Sequence, residues 1–245
     1  MIEPAPATRP VVSQWLARRA TLMALLGRSG VRRDRMALLL TTVRGMLGWG
    51  TLALGALLAV GGGAAAWFGA RTPADAYTLL CLLAVGGAVI TATAMFSTEQ
   101  RSGTLELLWL ACGSERAMLM HKLVAALVIL ALLLIPAAVG LSLFLDTPLP
   151  AVQFAGWLAV SAWLALTAVA LLATWLPQAW AATLVGAAVF AGVYVSIGQV
   201  ATMFNPFLNP LAEGAGKVGI SNRILFVILG WFFFTAAAGR LRRLL

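Results

Sequence analysis

The chain has 245 residues, of which 62% are hydrophobic and 10% charged, and its mean hydropathy is +0.96. Soluble domains carry about 25% charged residues, so this composition excludes an ordinary water-soluble fold and makes lipid part of the solvent. The formal net charge of +9 comes from arginines clustered beside apolar runs, not from a solvated basic domain, which argues against nucleic acid as a partner.

Residues 1–10 hold three prolines and read as a flexible tail. From Val11 to Leu26, Val12, Trp15, Leu16, Leu22, Met23 and Leu26 recur at helical spacing, with Arg18 and Arg19 at the stripe's edge. That pattern predicts an amphipathic helix lying in the membrane interface, the bland alternative being a solvated helix. Arg28, Arg32, Arg33 and Arg35 lead into an apolar run split by Arg44. Met36 to Val43 continues the interfacial segment (11–43 in all), and 46–68 is the first span, with Arg44 snorkelling to the headgroups. Arg32-Arg33 reads as the charged flank of that span, and no cleavable leader is expected.

Span two is expected at 76–97. A charged stretch follows, Glu99-Gln-Arg-Ser-Gly-Thr-Leu-Glu106 and on to Glu115, Arg116 and Lys122. Span three covers 123–145, with Pro136 tolerable inside a membrane helix. Residues 151–200 are almost uninterruptedly apolar, too long for one crossing, and Trp175-Leu-Pro-Gln178 offers the only turn. Spans four (152–174) and five (178–200) therefore form a tight hairpin. Met203-Phe-Asn-Pro-Phe-Leu-Asn-Pro210, with Glu213 and three glycines after it, predicts an irregular external segment over 201–223. Span six, 224–239, is about 24 Å long at 1.5 Å per residue, and Arg223 and Arg240 are expected to snorkel and extend it.

Six spans put both termini on one side. Of the 17 Lys and Arg residues, only Arg71, Lys217 and Arg223 then lie opposite, so the positive-inside rule makes the termini and the charged stretch cytoplasmic. The expected fold class is an all-α membrane protein, a single transmembrane domain over 1–245, with six transmembrane helices, an N-terminal amphipathic interfacial helix and a cytoplasmic helix between helices 2 and 3.

Chemistry is sparse. His121 is the single histidine and no Cys pair stands at ligand spacing, so no metal site is expected. The spans hold hydroxyls but no carboxylate or histidine to activate them, so no catalytic residue and no enzyme activity are expected in this chain. Cys81 and Cys112 build no disulfide framework. No Asp or Glu falls inside a predicted span, where ion-coupled carriers keep their relays; uphill transport would need energy from outside the membrane. Gly214-Ala-Gly-Lys217 is only a fragment of a phosphate loop, so ATP is not expected to bind here.

Read as a helix, Thr98 to Leu110 sets Glu99 and Glu106 on one face and Leu105, Leu108 and Trp109 on another. The plain alternative is a helical loop on the headgroups. The stretch Glu99-Gln-Arg101-Ser-Gly103-Thr104-Leu105-Glu106-Leu107-Leu108, followed by Lys122 at the start of an apolar span, resembles the signature of type 2 ABC transporter permeases. The six-span plan, the arginine-rich N-terminal helix, the irregular segment before span six and the Arg240-Leu-Arg-Arg ending extend the resemblance over nearly the whole chain. Relatives often carry a Thr/Ser-Pro-Val/Ile-Ser turn where this chain has Ala111-Cys-Gly-Ser114; Gly113 is able to supply that turn.

The resemblance implies a permease subunit of an exporter in the bacterial inner (plasma) membrane, paired with a second permease copy or a related permease and with two cytoplasmic ABC ATPase subunits, which would hold the ATP and magnesium. By this resemblance 98–118 is the coupling segment, with Glu99, Arg101 and Gly103 to Leu108 contacting the ATPase. Trp15, Arg18, Arg19 and Arg28 belong to a connecting helix beside it, and Glu99 or Glu106 is expected to pair with one of these arginines. Two other readings stay open: a non-transporting subunit of the same architecture that transmits ATPase motion to an envelope partner, and a membrane scaffold without an ATPase.

Overall fold

The structure, a computed structural model, describes residues 42, 60, 72–102, 112–143, 145, 150–176, 178–197, 203–210 and 216–244. Among these there are five helices: α1 (Pro73–Ser102), α2 (Glu115–Ser142), α3 (Ala151–Trp175), α4 (Ala179–Ile197) and α5 (Gly216–Leu244). Each is long and apolar enough to cross a membrane, which is compatible with a multi-pass membrane protein. The interfacial segment 11–43 and the first expected span, 46–68, fall outside the described residues apart from positions 42 and 60.

Local chemistry sets the helix ends. Thr72 caps α1 in a reciprocal box: the Asp75 amide donates to Thr72 Oγ1 at 3.2 Å, and the Thr72 amide donates to Asp75 Oδ2 at 3.2 Å. Pro73 fills the first helical position, where a missing N–H costs nothing. Gly113 takes φ 79°, a left-handed turn that favours glycine. Ser114 then caps α2, its hydroxyl accepting from the Ala117 amide at 3.2 Å. Leu176 adopts extended backbone, the conformation favoured before a proline, and so ends α3 one residue ahead of Pro177. α4 begins at Ala179, so Trp175 to Gln178 is the turn of a helical hairpin.

Each helix runs antiparallel to its predecessor, so the starts of α1, α3 and α5 share one end of the bundle with the finish of α2. α1 and α3 form its centre: α1 also packs on α2 and α4, while α3 packs most extensively on α5. Ala84, Ala88 and Ala92 on α1 and Ala165, Leu166 and Val169 on α3 are buried; small side chains let membrane helices approach closely. α4 is more peripheral, exposing Leu184, Val185, Val189 and Val195, which lipid accommodates.

Two boundaries differ from the sequence reading. α5 starts at Gly216 instead of 224, so 216–223 is the beginning of the last helix and not part of an external loop. α1 runs unbroken through Ser102, so 98–102 continue the second span instead of opening a separate element. The apolar-run criterion stops at the first charge, whereas a helix continues wherever its backbone bonds are satisfied.

Candidate functional site

At the end of the bundle where α1, α3 and α5 begin, the chain buries a polar cluster around Arg223. The residue lies seven positions into α5, roughly 10 Å along the helix, and is only 7% exposed. It does not snorkel, contrary to the expectation from sequence. Its Nη1 donates to Ser161 Oγ at 2.6 Å, and its Nη2 donates to the Tyr77 phenol oxygen at 2.6 Å and to the Leu208 carbonyl at 3.0 Å. A single guanidinium thereby joins α1, α3 and the 203–210 segment, using the fork that lysine lacks. These acceptors are all neutral, and Nε has no partner. Among the described residues, ion–dipole bonds and not an opposite charge hold the cation here.

The same cluster pins irregular backbone inside the bundle. Pro206 offers its carbonyl to the Ser161 hydroxyl at 3.0 Å and to the Cys81 thiol at 3.6 Å. Asn222 Nδ2 donates to the carbonyls of Met203 and Asn205, each at 2.9 Å. Asn209 Nδ2 reaches back to the Ala74 carbonyl at 2.8 Å. Within the segment, Asn205 Oδ1 accepts from the Phe207 amide at 2.9 Å, a local Asx turn. Phe207 stacks edge-on against Tyr194 of α4, and Tyr77 against Phe154 of α3. Residues 205–210 are all buried. Non-helical backbone is tolerated at membrane depth only where protein satisfies it, and here side chains of α1, α3 and α5 do so. The irregular segment expected from the two Asn-Pro steps is present, and its residues 205–210 are packed into the bundle.

The opposite end carries the residues expected to couple. Glu99 and Arg101 lie in the last turn of α1, though their side chains are outside the described residues, as are Gly103, Thr104, Leu105, Glu106, Leu107 and Leu108. Trp15, Arg18, Arg19 and Arg28, and any pairing of Glu99 or Glu106 with those arginines, are also outside the described residues. The flanks are described. Lys122 is fully buried, and its Nζ donates to the Met95 carbonyl, tying α2 to α1 seven residues before α1 ends at Ser102. Arg240 lies over the Trp175 ring at 4.7 Å, joining the end of α5 to the end of α3.

Chemically, the Arg223 cluster positions backbone. The Ser161 hydroxyl is engaged with a carbonyl and a guanidinium, so no base is placed to activate it. Sequence reasoning missed Tyr77, Ser161, Asn205, Asn209, Asn222 and Arg223 as a unit. The available signal was the pair of Asn-Pro steps followed by Ser-Asn-Arg at the head of an apolar run. Comparison with family models, with curated proteins and with solved structures gives no match.

Proposed function

We propose that this chain is the membrane-spanning permease subunit of an ATP-driven ABC exporter, coupling hydrolysis on a separate ATPase to movement of a substrate across the bilayer. The observation that carries the reading is the Gly103-Thr-Leu-Glu106 stretch between two long apolar helices. Its flanks support a force-transmitting role, because the Lys122–Met95 bond ties together the two helices that bracket it. Six spans, cytoplasmic termini and a bacterial inner-membrane location belong to the same proposal, as do an amphipathic connecting helix and a second permease subunit. Catalysis by ATP and magnesium then resides on the partner.

In this reading the 203–210 segment closes the bundle on the side away from the ATPase, with Arg223 as its anchor. The absence of acidic groups from the apolar spans in the sequence favours an external energy source over ion coupling. The test is charge reversal of Glu106 in the reconstituted assembly. Glu106→Arg should leave the subunits associated while abolishing the permease-dependent stimulation of ATP hydrolysis. Full stimulation in that variant would remove the coupling role.

A further inference from the structure

Residues 203–210 are held in the bundle by side chains of other elements, not by a backbone ladder. Among the described residues their one backbone–backbone bond is internal, from the Leu208 amide to the Asn205 carbonyl at 3.2 Å. The bond from the Phe207 amide to Asn205 Oδ1 is internal too. The segment can therefore keep its shape when undocked, and undocking breaks no helix ladder. Its attachments are spread along it. Asn222 holds the carbonyls of Met203 and Asn205, Ser161 and Cys81 hold that of Pro206, and Arg223 holds that of Leu208. Asn209 reaches the Ala74 carbonyl in return. Pro210 lies against Gly219, at ordinary contact distance from where a Cβ would stand. Met203 and Phe204 are exposed, so the segment reaches the surface of the bundle and is not enclosed on all sides.

Docking shuts Tyr77, Cys81, Ser161 and Arg223 away from water, each of them buried. The guanidinium makes that arrangement costly. Its acceptors among the described residues are neutral, so much of its hydration goes unreplaced. Lifting the segment gives up the bonds above but returns water to the cation. The two effects oppose each other.

We propose that residues 203–210 form a strap that lifts as one unit, admitting water to Arg223, Tyr77, Ser161 and Cys81, with hydration of Arg223 offsetting the bonds that are lost. The inference rests on the bonding of the segment alone and does not depend on an ATPase partner.

Cys81 reports the motion, because its thiol is bonded to the Pro206 carbonyl and the chain has only one other cysteine. Cys112→Ser leaves it the single thiol. In phosphatidylcholine nanodiscs, a membrane-impermeant anionic methanethiosulfonate followed by peptide mass spectrometry gives the rate of labelling at Cys81, which scales with the lifted population. Slow but complete labelling is expected, and Asn209→Ala should speed it about tenfold by removing one anchor. A tether tests the converse. A Cβ built at Gly219 would lie 3.6 Å from that of Pro210, within disulfide range, so Gly219→Cys with Pro210→Cys should cross-link the strap to α5. Oxidation of that variant should suppress labelling at Cys81, and reduction should restore it. Labelling equally fast in the oxidised and reduced forms would overturn the proposal, since the thiol would then be reached by another route. So would a Cys81 that stays unlabelled in both the native chain and Asn209→Ala, or one that Asn209→Ala labels no faster.

Discussion

Arg223 donates from Nη2 to the phenol oxygen of Tyr77 at 2.6 Å, across 146 residues of sequence. The bond joins the starts of α5 and α1, and among the described residues the buried guanidinium has neutral acceptors only. A hydrogen bond to a charged group contributes about 1.5–3 kcal/mol. Tyr77→Phe, which keeps the ring packing on Phe154, should therefore destabilise the chain by about 2 kcal/mol. Arg223→Lys should cost more, because the charge stays buried while two of the three acceptors lose their donor. Arg223→Met should fall between native and Arg223→Lys, since it removes the desolvated charge together with its bonds. Thermal unfolding in detergent gives the order; a lysine variant as stable as the methionine variant would contradict the buried-cation account.

Gly113 precedes the cap of α2 with φ 79°. Adding a Cβ there forces a conformation that costs roughly 1–2 kcal/mol. Gly113→Ala should lower stability by about that amount, and Gly113→Asn by less, because asparagine tolerates the left-handed region. Ser114→Ala should cost about 1 kcal/mol through the lost cap. The unfolding midpoints of the three variants check this, and an alanine at 113 without effect would remove the turn from the explanation.

Gly230 of α5 faces Trp163 of α3 so closely that a Cβ would overlap the indole. Gly230→Ala should cost about 1–3 kcal/mol by overpacking, and shrinking the partner with Trp163→Leu should relieve part of that in the double variant. By contrast, Gly156 and Gly192 have open space where a Cβ would project, and alanine there should be neutral or stabilising by up to about 1 kcal/mol. A double-mutant cycle on 163 and 230 showing no coupling would place the strain elsewhere.

The hairpin between α3 and α4 is legible in the sequence because one proline interrupts fifty apolar residues, and a residue before proline leaves the helical region. Gly113 is legible for the same kind of reason, since a turn there needs a residue without a Cβ. The Arg223 cluster is not. Beside an apolar run, an arginine that snorkels and one that is buried look alike in sequence. What separates them is the set of partners, and Ser161 and Tyr77 lie 62 and 146 residues away. Hydropathy also puts the start of the last span at 224, because Lys217, Ser221, Asn222 and Arg223 depress the average. The helix accommodates them by turning Asn222 and Arg223 inward. Met203 to Pro210 reads as external for a related reason: Asn and Pro mark irregular backbone but not whether water or protein satisfies it.

An ATP-driven permease subunit requires an ATPase partner. The direct measurement is mild detergent extraction of the tagged chain from its native membrane, followed by mass spectrometry of what accompanies it in stoichiometric amount. The expected result is a soluble ATPase bearing a phosphate loop, present at one copy per permease chain and retained in Glu106→Arg. A chain that purifies with no such ATPase, while remaining folded and lipid-bound, would contradict the account.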